Sequence, residues 1–420
     1  MPVALARKRA SRHFTADTYA QPTLRRKLYI DISVFSENDA GTGVQRVVRE
    51  ILIKLLDTQD YCFDIIAVAA KKNCDYSLVN IQLINSVFKI QVLQQKIEPS
   101  SGDIFLGLDL ATYILPSKYK QLLEWKRTGV SIQVIVYDLL PVLHPEWFNR
   151  ITFTKFNAWL RTLAIFVDQF HCISNTVQGE LFYWFKSRYG ISFTNKELNV
   201  FPLGSNIDEF TNTKIKTKTQ NDAHFKALAF MKEAPTTLVV GTVEPRKGYA
   251  DILAAFSKLW RAGGTERLLI VGAAGWKTVE LQKALKAEIA NGSRLVWLQD
   301  ADDKLLKQLY ECSAGVLIAS KGEGFGLPLI EAAHYGKPVL ARDLPVFREI
   351  AIGNVTFFKD SKPHSLTANE LADWLASCSQ TCLSTPIFPV PKPTDWATTT
   401  AVLLKNIGMN TKTPPTRIRA

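Results

Sequence analysis

The sequence predicts an α/β protein of two domains, the second of them a parallel sheet covered by helices. Three observations lead there. The chain has 420 residues, and a domain usually takes about 100–200. Short apolar runs that end in glycine-bearing turns alternate with amphipathic stretches, the pattern of strand–helix–strand units. That alternation is interrupted from 205 to about 235, where Asn206, Asp208, Asn221 and a run of Thr and Lys give the composition of a linker.

Composition narrows the partners. Hydrophobic residues at 47% and charged residues at 21% are ordinary for a globular protein with sizeable cores. The net charge of +12 is not ordinary and suits an anionic partner, a nucleotide or a membrane surface. No nucleic-acid-binding signature is present, so no nucleic acid partner is expected. The six cysteines are scattered and read as free thiols, which fits the cytoplasm. No apolar run approaches the ~18 residues of a membrane-spanning helix. The N-terminus lacks the apolar core of a secretory signal.

The elements follow in order. Residues 1–27 are a basic tail, with Arg7, Lys8, Arg9, Arg12, Arg25 and Arg26 against Asp17 alone. It reads as a disordered solvated segment, or as a segment that docks on anionic lipid. The first domain spans 28–205. Its first strand is Leu28–Ile32, followed by the loop Ser36–Gly43. Val44, Val47, Val48, Ile51, Leu52 and Leu55 then repeat at helical spacing. Ile132–Tyr137 is a buried strand, and Asp138 and His144 lie beyond its carboxyl end, where ligands of open α/β sheets gather. Each is a candidate substrate contact; a turn aspartate and a surface histidine are the plain alternatives. Trp147–Arg161 and Leu181–Tyr189 mix aromatic and basic residues, a core stripe with a solvated edge or a membrane-facing surface. Phe170–Ser174 is a strand, with Asn175 and Gln178 placed as a capping box for the next helix. A linker covers 206–235. The second domain, 236–395, carries strands at Thr237–Val243, Arg267–Val271, Arg294–Leu298, Gly315–Ala319, Pro338–Ala341 and Val355–Phe358, with helices between them. A terminal helix is expected over 396–409 and a disordered tail over 410–420.

Two stretches of the second domain carry chemistry. The first is Gly241-Thr-Val-Glu-Pro-Arg-Lys-Gly248 at a strand end. Arg246 and Lys247 there suit a leaving group that gains negative charge, and one cation at ~4 Å is worth about 4 kcal/mol at an effective dielectric near 20. The second is Ser320-Lys-Gly-Glu-Gly-Phe-Gly-Leu-Pro-Leu-Ile-Glu331. It reads as a strand end, a glycine loop and a helix start, with Pro328 in the first turn and Gly336 past the end. Unpaired amides and a positive helix end make such a loop an anion site. Glu323 and Glu331 bracket it. A carboxylate beside a phosphate is repelled unless it accepts hydrogen bonds from sugar hydroxyls. Solvation of Glu323 and a helix-dipole role for Glu331 are the alternatives. Asp300-Ala-Asp302 is read as a helix cap rather than a metal site.

The string Glu323-Gly-Phe-Gly-Leu-Pro-x-x-Glu331 closely resembles the Glu-x7-Glu signature of retaining glycosyltransferases of family 4, and the resemblance spans roughly 28–407. It implies a GT-B fold, two Rossmann-like domains with a cleft between them. It implies that Glu331 binds the nucleotide ribose, that Glu323 binds the donor sugar, and that Gly322, Gly324, Phe325, Gly326 and Leu327 hold sugar and pyrophosphate. Lys247 matches the lysine of the family's Gly-Arg-x-x-x-x-Lys-Gly donor site. Thr242 stands where the family has arginine, and Arg246 is expected to compensate. Gly41-Thr-Gly-Val-Gln-Arg46 resembles the family's first glycine loop, in a subset that builds bacterial surface polysaccharides, and adds Gly43 to the donor site. Asp138 is expected to orient the acceptor hydroxyl and His144 to contact the acceptor.

The expected activity is sugar transfer, with retained configuration, from a nucleotide diphosphate sugar to a hydroxyl of a glycan or lipid-linked glycan. Guanosine diphosphate mannose is the first donor to test. The expected catalytic residues are Glu323, Arg246, Lys247 and Asp138. No metal and no cofactor beyond the donor is expected. The expected location is cytoplasmic, with peripheral contact to the inner face of the plasma membrane. A phosphorylase or epimerase on the same fold, or a non-catalytic scaffold for a polysaccharide synthase, are the alternatives.

Overall fold

The computed structural model describes residues 3–11, 25–39, 41–57, 63–84, 87–194, 196–207, 218–292, 294–359, 366–381 and 394–409. They group into two compact units. One takes Met1–Leu83, Phe88–Gly204 and Thr394–Ala420; the other takes Ser205–Pro393 with Ile84–Val87.

The first unit is built on eight strands: β1 (Arg26–Asp31), β2 (Phe63–Lys71), β3 (Cys74–Ile84), β4 (Val87–Lys96), β5 (Ile104–Gly107), β6 (Ser131–Val136), β7 (Gln169–Cys172) and β8 (Leu198–Val200). Their spatial order is β4-β3-β2-β1-β5-β6-β7-β8. β1 pairs in parallel with both β2 and β5, and β5 to β8 continue in parallel. β3 returns antiparallel to β2. β5 and β6 are apolar and buried almost throughout, as parallel strands covered on both faces must be. The helix Gly43–Asp57 buries Val47, Val48, Ile51, Leu52 and Leu55, the face that its spacing predicts.

Helix Trp396–Asn406 belongs to this unit and packs on Gly43–Asp57. Asp395 caps it, accepting from the Thr398 amide at 2.7 Å. Trp396 lies against Gly204, where an added Cβ would come within 2.6 Å of the indole. Asn406 donates to the Val200 carbonyl at 3.1 Å.

The second unit has β9 (Thr236–Val240), β10 (Arg267–Val271), β11 (Leu295–Leu298), β12 (Gly315–Ile318), β13 (Val339–Arg342) and β14 (Val355–Phe358). The sheet is wholly parallel, in the order β11-β10-β9-β12-β13-β14. Its core includes Ile252, Phe256, Leu268, Leu317, Leu340, Leu371 and Trp374.

Three expectations need correction. Residues 3–11 of the basic tail are a helix: Ala6 and Ala10, four apart, are buried. Arg7 donates to the carbonyls of Ala164 and Val167 at 3.2 and 2.9 Å and pairs with Glu197 at 3.2 Å. It thus satisfies carbonyls at the carboxyl end of helix Arg150–Phe166, which no intrahelical amide reaches. Within the polar 206–235 stretch, Lys218–Glu233 is helical; Ala227 and Met231, again four apart, are buried. The cap before helix Asn175–Tyr189 is Ser174, not Asn175, with its Oγ accepting from the Val177 amide at 3.1 Å. Gln178 instead donates to the Leu198 carbonyl. The tail 410–420 lies outside the described residues. Among the described residues no helix is long and apolar enough to cross a membrane.

Candidate active site

In each sheet the chain order reverses beside one strand. β9 has β10 on one side and β12 on the other, so the loops that leave β9 and β12 depart in different directions and open a crevice at their carboxyl ends. Those loops are Gly241–Gly248 and Ser320–Leu327. Topology therefore brings together two segments about eighty residues apart.

Local geometry locks them. The Lys321 amide donates to the Arg246 carbonyl at 2.7 Å. Gly248 has φ +70°, and a Cβ there would lie 2.1 Å from the Ala319 carbonyl oxygen, so the two strand ends touch backbone to backbone. Gly326, at φ +113°, precedes helix Leu327–His334, and a side chain there would strike Phe347 at 2.6 Å. Tyr249 donates to the Gly241 carbonyl.

The charged side chains meet at Glu323. Oε1 accepts from Lys247 Nζ at 2.5 Å and from Ser320 Oγ at 2.7 Å. Oε2 accepts from Arg246 Nη1 at 2.6 Å. Arg246 also reaches the Gly322 carbonyl at 3.3 Å and, through Nε, the buried Glu244 at 2.6 Å. Burial of Glu323, whose side chain is 9% exposed, opposes its ionisation. Arg246 and Lys247 overcome this and hold the carboxyl down at about 2. Both oxygens thus rest on the two cations, and an anionic ligand for those cations competes with Glu323.

Glu331 stands on helix Leu327–His334, which follows the loop. It is 3% exposed and accepts from Tyr310 Oη at 2.7 Å through Oε2. Phe325, Gly322 and Gly324 are also buried, and Thr242 lies beside Gly241. A second layer holds the loops from below. Arg342, 1% exposed, donates from Nε to the Ala319 carbonyl at 3.1 Å and pairs with Asp251 at 2.7 Å. Lys321 approaches the same Asp251 at 3.4 Å. Asp302 caps helix Asp303–Cys312, accepting from the Leu305 amide at 2.8 Å. Among the described residues no group of three or more His, Cys, Asp or Glu could hold a metal ion.

The first unit carries its own carboxylates at its reversal point, between β1 and β5. Asp31 accepts from the Ser33 hydroxyl at 2.5 Å, the Ser33 amide at 2.9 Å and Tyr76 Oη at 2.7 Å. Asp109 accepts from the amides of Phe35 and Leu110 at 2.6 and 2.8 Å. Burial raises Asp31 to about 6, against the pull of its Ser33 and Tyr76 hydrogen bonds. Burial, and then the charge of Asp31, raise Asp109 to about 7.

The other predicted residues of this unit make local contacts of their own. Gly43 is the first residue of helix Gly43–Asp57. Asp138 accepts from the Leu140 amide at 3.1 Å, as a turn aspartate does. His144 stacks on Trp147 at 4.0 Å and contacts Glu146 through Nδ1 at 3.2 Å. Beside Asp138 is Glu180, which burial and then the Asp138 charge push up to about 7.

The sequence reading missed Ser320, Glu244, Asp251, Arg342 and Tyr310 in the second unit, and Asp31, Tyr76, Asp109 and Glu180 in the first. Asp31 and Asp109 do leave a signal, an acid at or just beyond the end of an apolar run. The rest lie in helices, turns, a hairpin or, for Arg342, at the end of β13, with no local mark.

Residues 220–380 match the family model described as glycosyl transferases group 1. Over 395 residues the chain is 35% identical to a serotype-specific mannosyltransferase, WbdA, of Escherichia coli; the match covers 93% of this chain and 47% of that protein. The chain thus spans about half the length of the Escherichia coli mannosyltransferases it matches. Two solved structures superpose over most of the chain. The sucrose-phosphate synthase of Thermosynechococcus elongatus has a TM-score of 0.57 at 16% identity, covering 91% of this chain and 94% of that one. Anabaena Alr3699/HepE in complex with UDP-glucose has a TM-score of 0.54 at 14% identity, covering 90% and 95%. The chain has the fold of the GT-B glycosyltransferases, and the cluster of Arg246, Lys247 and Glu323 lies within the part of it that matches the group 1 model.

Proposed function

We propose that the chain is a retaining glycosyltransferase of family 4 that moves mannose from guanosine diphosphate mannose to a hydroxyl of a glycan or lipid-linked glycan in surface polysaccharide synthesis. One observation carries the reading: two cations from the loop after β9 converge on the first glutamate of the Glu-x7-Glu string, in the segment that matches the group 1 model. The likeness to a mannosyltransferase supports mannose as the sugar.

In this reading the diphosphate takes the place of the Glu323 carboxylate on Arg246 and Lys247. Those cations stabilise the charge that develops as the bond from the anomeric carbon to the phosphate oxygen breaks. The acceptor oxygen bonds to the same face of that carbon, and its proton passes to the departing phosphate oxygen. Glu323, released from the cations, accepts hydrogen bonds from the sugar hydroxyls, and Glu331 accepts them from the ribose. Asp138 and His144 contact the acceptor. No metal takes part. The enzyme works in the cytoplasm, and the net charge of +12 supports contact with the anionic inner face of the plasma membrane.

A thermal-shift series with GDP, UDP and ADP tests the donor site first. A ligand at 100 times its Kd adds about 2.7 kcal/mol of stability, and GDP is expected to give the largest shift. Transfer of mannose to a mannose-terminated oligosaccharide, with the α configuration kept, is the expected product. Release of mannose-1-phosphate in the presence of phosphate would mark a phosphorylase instead. GDP binding with no turnover across a panel of donors and acceptors would mark a scaffold.

A further inference from the structure

The structure assigns Tyr310 as the positioning residue that sets the Glu331 carboxylate for a ribose. The inference rests on the donor reading above and adds to it a residue from outside both site loops.

Tyr310 stands on helix Asp303–Cys312 and is fully buried. Its hydroxyl donates to Glu331 Oε2 at 2.7 Å. Its ring stacks on Tyr335, with centroids 5.5 Å apart and planes 12° from parallel. Tyr335 follows Glu331 by four residues, and its amide donates to the Glu331 carbonyl at 3.1 Å. Tyr310 therefore holds the helix of Glu331 at two points one turn apart, once by a hydrogen bond to the carboxylate and once by a ring stack.

A carboxylate that is 3% exposed requires hydrogen-bond donors, and the Tyr310 hydroxyl is one of them. An ionised carboxylate has about four acceptor positions on its two oxygens. Fixing one of them with a rigid aromatic hydroxyl sets the plane of the group, and so the direction in which it accepts from a ligand. Two vicinal hydroxyls on one ring are matched by a carboxylate held in one plane. A freely rotating carboxylate would first have to be ordered. Tyr310 thus makes the site selective for a ribonucleotide over its deoxy counterpart.

The test uses the full chain and the diphosphate among GDP, UDP and ADP that gives the largest thermal shift, together with its 2′,3′-dideoxy form. The wild type is expected to bind the ribose form at least about tenfold more tightly. Tyr310→Phe keeps the ring and the stack on Tyr335 and is expected to bring that ratio to about threefold or less, raising donor KM with kcat little changed. In a double-mutant cycle with Glu331→Gln, the two losses are expected to overlap rather than add. Should Tyr310→Phe fail to fold, Tyr335→Leu removes the stack and leaves the hydroxyl, and it is expected to lower the ratio in the same direction but less. A folded Tyr310→Phe, or in its place a folded Tyr335→Leu, with the wild-type ratio overturns the assignment, as does strict additivity in the cycle. Failure of the donor reading itself is seen separately, in the wild type: equal affinity for ribose and dideoxy forms removes Glu331 from the ribose, and the assignment with it.

Discussion

Each unit has buried carboxylates at the point where its strand order reverses, and the two sets ionise in opposite ways. Asp31 and Asp109 of the first unit are raised to about 6 and about 7. Glu323 of the second is held at about 2. Burial acts in the same sense on all three, since removal from water disfavours the charged form. Neutral donors surround the first pair: Ser33, Tyr76 and the amides of Phe35 and Leu110. Two cations meet Glu323. Neutral hydrogen bonds lower the pKa of a buried acid but leave it raised, whereas paired cations reverse the shift. One reversal point is therefore a structural knot and the other a charged site that a stronger anion can take over.

The largest expected effect lies at the charged site. Lys247→Ala should lower turnover by ~100-fold or more, on the scale of losing one donor to a developing oxyanion. Steady-state mannose transfer measures it, and an unchanged kcat would remove Lys247 from the chemistry.

Next is the pH dependence of the knot. With a folded pKa near 7, Asp109 carries a proton at pH 5 to 7 that the unfolded chain has released. Its contribution to stability is fully present below about pH 4 and is lost as pH rises through 7, at up to about 1.4 kcal/mol per pH unit. Asp109→Asn cannot titrate, so its cost relative to the wild type should shrink from pH 5 to pH 8 in urea unfolding. Taking the difference cancels His171, a buried imidazole pushed down to about 3, whose contribution runs the other way. Glu323 has the opposite sign, with stability that is present above about pH 4.5 and lost as pH falls toward 2. A cost for Asp109→Asn that stays constant with pH would break the comparison.

The smallest effect sharpens it. If Glu323 competes with a diphosphate for Arg246 and Lys247, Glu323→Gln should bind GDP about three- to tenfold more tightly, close to 1 kcal/mol, while turning over sugar more slowly. Calorimetric titration with GDP decides this, and weaker binding would show that the cations do not reach the diphosphate.

Much of this was legible in the chain. Strands such as Arg267–Val271 and Val355–Phe358 announce themselves as short apolar runs, and the observed bounds match the predicted ones. The turn around Gly322–Leu327 is equally local, because Pro328 can stand in a first helical turn and Gly336 tolerates positive φ past the end of the helix. Arg246 and Lys247 were nameable from side-chain chemistry at a strand end, and Glu323 and Glu331 from the resemblance of their string to the Glu-x7-Glu signature. The helix Val3–Ser11 was hidden because charge dominates its sequence, and only its packing against Arg150–Phe166 reveals a use for Arg7.

What residue order determined by itself is the set of strands, the glycine turns and the identity of the charged groups. These depend on φ/ψ preference and on apolar periodicity, which act within a few residues. What only the tertiary structure decided is pairing. Glu323 meets Arg246 and Lys247 because β12 lies beside β9, Tyr76 reaches Asp31 from a hairpin, and Tyr310 meets Glu331 from another helix. A carboxylate reads the same in every sequence. Whether it is ionised, and what can displace it, depends on the charge and burial that distant segments bring to it.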